Sequence, residues 1–157
     1  MNPHSPTPVV LVIGYGNDLR GDDCAGRRAA QIIADRCDNR ITVRSVHQLT
    51  PDLAPLIADA DLVIFADASA EALAEDVRVR TLSPSSPFLG DVHSGSASEL
   101  LGLANWLYGK FPQSYAVDIA ADNFGFSDQP SPRTQTAIMN AVAQIDTLIA
   151  NSGNLHA

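Results

Sequence analysis

Cysteine is scarce in this chain: only Cys24 and Cys37 occur, and they do not form a CxxC pair. Two isolated cysteines cannot frame a disulfide-stapled secreted fold, so a reducing compartment, the cytoplasm, is expected. Lysine and arginine are also few, 10 against 18 acidic residues, and they are scattered rather than clustered. A formal charge of −8 would repel phosphate backbones, which argues against a nucleic-acid partner. Long apolar runs are missing. The run from Val9 to Ile13 is far too short for a signal h-region or a membrane span, and MNPHSPTP before it carries no Lys or Arg. No targeting segment, membrane anchor, internal repeat or linker is expected. What remains is one 157-residue domain with 45% apolar content, long enough to bury about two-thirds of its unfolded surface. Residues 1–7 and 152–157 are expected to form flexible tails.

Strand-like and helix-like segments alternate from Pro8 onward, which predicts an α/β layer fold. Val9 to Ile13 is a β-branched run apolar on both faces, as in a central parallel strand, and Leu62 to Phe65 is a second. Ile41 to Val46 alternates as a strand. Val77, Val79 and Thr81 alternate with Arg78 and Arg80, which predicts a strand nearer the sheet edge, and Tyr115 to Ala120 is the last strand. Helical spacing starts near Asp22, where Ala25, Ala29, Ile32 and Ile33 share a face. Thr50-Pro51 opens a short helix ending near Asp59. Ser96 with Glu99 makes a capping box for a helix whose apolar face is Leu100, Leu103, Trp106 and Leu107. Ser131-Pro132 opens the final helix, with Ala137, Ile138, Ala141, Ile145 and Leu148 as its stripe.

In an open α/β sheet, ligands bind beyond the C-terminal ends of the strands. Three places there carry chemistry: Gly14-Tyr15-Gly16-Asn17 with Asp22-Asp23, then Asp67, then His93. A dinucleotide fingerprint is absent, because GxGxxG would need glycine at Leu19 and the acids would repel a pyrophosphate. The glycines suit a tight turn with positive φ, which Asn17 can tie. One of Asp22 and Asp23 can cap the following helix, and the second exceeds what a cap requires. Asp23, Asp67 and His93 offer two carboxylates and an imidazole, an O/O/N set suited to a borderline divalent metal in an open site. Each has an ordinary alternative as a turn or hydrogen-bonding residue. His47 is a rival ligand, whereas His4 and His156 lie in the tails. Cys24 at a helix start reads as a small packed residue, because adjacent acids oppose thiolate formation. Ser94 and Ser96 lack the GxSxG setting of a serine hydrolase, and Tyr15 and Trp106 read as wall and core.

GYGNDLRGDD, DLVIFADAS and HSGS resemble, in order and spacing, the hydrogenase maturation endopeptidases, and the resemblance spans nearly the whole chain. HQLTPDLAPLIADAD and FGFSDQPSP tilt it toward enzymes serving bidirectional, NAD-coupled hydrogenases. Cys24 stands where that family usually has glycine. The resemblance implies a three-layer α/β sandwich with a twisted, mostly parallel sheet and helices on both faces. It implies removal of the C-terminal extension of a [NiFe]-hydrogenase large-subunit precursor, with substrate-borne nickel bound by Asp23, Asp67 and His93, which are also the expected catalytic residues. Metal-assisted hydrolysis is the preferred mechanism. Two alternatives stand beside it: an aspartic-type peptidase in which metal only licenses docking, and a non-catalytic module that checks for metal.

Overall fold

The computed structural model describes residues 7–86 and 96–154. Five strands form one sheet in the order β2-β1-β3-β5-β4, namely β2 (Ile41–Val46), β1 (Val10–Tyr15), β3 (Leu62–Ser69), β5 (Gln113–Ala120) and β4 (Val77–Thr81). β1 pairs in parallel with β2 and β3, β3 pairs in parallel with β5, and β4 closes the edge antiparallel to β5. The two strands expected side by side in the middle are so placed. Their alternation feeds two cores: Val10, Val12, Leu62 and Ile64 point to one face, and Leu11, Ile13, Val63 and Phe65 to the other.

Helices α1 (Ala25–Asp35) and α4 (Pro132–Asn151) cover the first face; α2 (Ala54–Asp59) and α3 (Ala97–Tyr108) cover the second. This is the three-layer α/β arrangement expected. The α1 and α4 stripes are buried as spaced: Ala25, Ala29 and Ile33 meet Ala137, Ile138, Ala141 and Ile145. Pro51 begins a short 3₁₀ turn that leads into α2. The capping box of α3 is present, with the Glu99 N–H donating to Ser96 Oγ at 3.2 Å and the Ser96 N–H donating to Glu99 Oε2. Its C-terminus closes on Gly109 in the left-handed conformation.

Two expectations need correction. β3 continues past Phe65 to Ser69, so Asp67 sits within the strand and not after it. In α3, Leu100 and Leu103 are buried but Trp106 is 64% exposed and Leu107 is also bare. Burial ends at Ala104 because the last turn of α3 runs past the surface it packs on.

Candidate active site

The turn from β1 into α1 is built on close backbone approach. A Cβ on Gly14 would lie 2.2 Å from the Gly26 carbonyl oxygen, and one on Gly26 would lie 2.1 Å from that of Ala66. Gly14 therefore serves proximity, while Gly16, at φ +145°, supplies the positive φ expected of this turn. With no side chains between them, the start of α1 rests directly on the ends of β1 and β3. Asn17 ties the turn as expected: its Oδ1 accepts the Leu19 N–H at 2.9 Å, and its own N–H donates to Asp23 Oδ2 at 2.8 Å.

The two adjacent acids have separate roles. Asp22 is fully buried and does not cap its own helix, which is preceded by a 3₁₀ turn, Gly21–Cys24, without a side-chain cap. Its carboxylate reaches the segment between β5 and α4, accepting the Asp122 and Asn123 N–H groups at 2.8 and 2.9 Å and both the N–H and hydroxyl of Ser131. Burial alone would raise its pKa, but these donors outweigh it and hold the carboxyl at about 2. Asp22 is a staple, and Asp23, half-buried, accepts with its carboxylate only the Asn17 N–H of its own turn among the hydrogen bonds of the described residues.

Asp67 is half-buried at the C-terminal end of β3. Burial pushes its pKa up to about 7; the Asp23 and Asp118 charges add to this, while the Tyr15 phenol and the Ala68 N–H oppose it. The Asp23 charge thus reaches the Asp67 carboxyl. Tyr15 is affected in turn: burial, then the Asp67 carboxylate, raise its pKa.

Asp118 escaped the sequence reading. It stands opposite Asp67 in the β3/β5 register, only 7% exposed, and is held by arginines from the edge strand. Arg80 donates from Nε at 2.6 Å and Nη2 at 3.1 Å, and Arg78 from Nε at 2.9 Å. Burial would raise the Asp118 pKa, but the two guanidiniums hold it below the usual carboxylate value. The signal was present: one acid interrupts the apolar strand YAVDIA, and two arginines alternate on the strand that pairs with it.

His93 and Ser94 lie outside the described residues. His47 is exposed at the end of β2, and among the described residues no three His, Cys, Asp or Glu side chains stand close enough to share one ion. Cys24 is buried, and burial raises its pKa, as fits a packed residue. Chemically, the described part of the site offers two carboxylates of contrasting environment beside a phenol. Such a pair can ligate a hard or borderline cation or share a proton.

No family model matches the chain, and no curated protein sequence matches it. Solved structures do. The hydrogenase maturating endopeptidase HybD from E. coli superposes with a TM-score of 0.73 at 18% identity, covering 92% of this chain and 93% of that one. The [NiFe] hydrogenase maturation protease HybD from Thermococcus kodakarensis gives 0.69 at 21% identity over 89% and 98%. The maturation protease HycI from Thermococcus kodakarensis KOD1 gives 0.71 at 18% identity over 94% and 96%. The chain thus has the fold of the hydrogenase maturation endopeptidases along nearly its whole length.

Proposed function

We propose that this protein is a hydrogenase maturation endopeptidase that removes the C-terminal extension of a nickel-loaded [NiFe]-hydrogenase large-subunit precursor in the cytoplasm. The observation that carries this reading is the fold, shared along nearly its whole length with proteases of that kind, and the reach of the Asp23 charge to the Asp67 carboxyl supports it. Asp23, Asp67 and His93 would complete the coordination of the nickel already held by the substrate. Only loaded precursor gains that bond energy, so recognition and readiness for cleavage coincide. Asp23 or Asp67 would act as ligand or nearby base, and an ion so held would supply Lewis acidity toward the scissile carbonyl or a water. Two free cysteines among the described residues support the cytoplasmic setting. The bidirectional-hydrogenase subtype rests on residues 47–61 and 124–132 of the sequence.

One observation favours a second reading. Burial pushes the Asp67 carboxyl up to about 7 and the Asp23 charge adds to this, so Asp67 could serve as the protonated acid of an aspartic-type peptidase. Here metal would license docking only.

Cleavage of purified precursor, with and without nickel, followed by intact mass, tests both. Loaded precursor should lose a short C-terminal peptide and metal-free precursor should stay intact. Asp23→Asn, Asp67→Asn and His93→Ala should each slow processing by about 10- to 100-fold or more, and Cys24→Ser should cleave nearly normally. Efficient cleavage of metal-free precursor would remove the metal requirement from both readings.

A further inference from the structure

We infer that Arg78 and Arg80 hold Asp118 away from the Asp23 and Asp67 carboxylates, so that the site accepts an ion carried by the substrate and not one taken from solution. The inference rests on the metal-dependent reading above. It concerns what sets the specificity of that site.

Asp67 and Asp118 are register partners on neighbouring parallel strands, and both alternate with core residues onto the sheet face covered by α2 and α3. Side chains so placed have Cβ atoms roughly 5 Å apart, within reach of one shared cation. Yet among the described residues no three acids or histidines converge on a common point. The reason lies on the other side of β5. The sheet order is β3-β5-β4, so β4 approaches Asp118 from the side opposite Asp67, and its two arginines draw the carboxylate that way through three charge-assisted bonds. Arg80 grips both oxygens, which fixes their orientation.

Without the arginines, Asp118 would be a buried, unpaired carboxylate beside a second one. A divalent ion between them would relieve that repulsion, and three carboxylates bind such an ion more tightly than two. The site would then fill from solution, and a resident ion would block the one the precursor brings. A role limited to fastening β4 makes a different prediction: removing the arginines would cost stability and leave metal affinity unchanged or weaker.

Calorimetric titration of the full chain with Ni²⁺ separates the two. Arg78→Gln/Arg80→Gln should bind nickel about tenfold or more tightly than the parent. Adding Asp118→Asn to that pair should return the affinity to the parental value, and adding Asp67→Asn should also abolish the gain. Asp118→Asn alone should leave the affinity as it was. Unchanged or weaker binding by the double variant with native circular dichroism overturns the inference, as does weakened binding by Asp118→Asn alone, or a gain that survives Asp67→Asn. Should the double variant not fold, Arg80→Gln is titrated in its place, with a several-fold gain expected and no gain counting against the clamp. The titration needs no precursor, so a parent protein that fails to cleave loaded precursor would refute the peptidase reading separately.

Discussion

At the scale of single residues, Asp22 and Asp67 are shifted in opposite directions. The Asp22 pKa is about 2 when folded and near 3.8 in an unpaired carboxyl, so its contribution of about 2 kcal/mol is fully present above pH 4 and lost as pH falls through 2. Asp22→Asn should remove that part of the acid-side loss of stability, measured by urea unfolding between pH 4 and 2. Asp67 has the reverse sign. Its folded pKa of about 7 lies above the unfolded value, so it stabilises the fold at low pH and that advantage disappears as pH rises toward 7. Asp67→Asn should therefore raise the melting temperature at pH 8 relative to the parent while slowing processing. A fall in melting temperature at pH 8 would count against this account.

At the scale of elements, α3 shows where apolar spacing and burial part company. Leu101 is fully buried between α2 and the sheet, while Trp106, on the bare last turn, is 64% exposed. Leu101→Ala should cost about 2–5 kcal/mol, and Trp106→Ala should stay within about 0.5 kcal/mol of the parent, both read from denaturant midpoints. Spacing along the helix put Trp106 on the apolar face with Leu100, Leu103 and Leu107 and passed over Leu101, because periodicity identifies a face and not the extent of the surface opposite it. The strands were more legible. β1 and β3 read correctly as central because a strand covered on both faces must be apolar at every position.

At the scale of the whole molecule, both hydrophobic cores hang on the same strands, with alternate side chains of β1 and β3 serving each. Neither helical layer can leave without exposing one face of the shared sheet. The protein should therefore unfold in one transition, with far-ultraviolet circular dichroism and amide exchange of β1 and β3 reporting the same free energy. Separate transitions for the α1/α4 and α2/α3 sides would show two units.

Local chemistry in the sequence determined the α/β class, the capping box at Ser96 and the turn at Gly16 and Asn17. Each depends on residues close along the chain or on a period of two or 3.6. Tertiary structure alone decided that Asp22, of the two adjacent acids, is the one taken up in the interior, since it is claimed by partners 100 or more residues away. It also decided that Asp118 belongs beside Asp67, because strand order and register are set by packing between segments and leave no local mark.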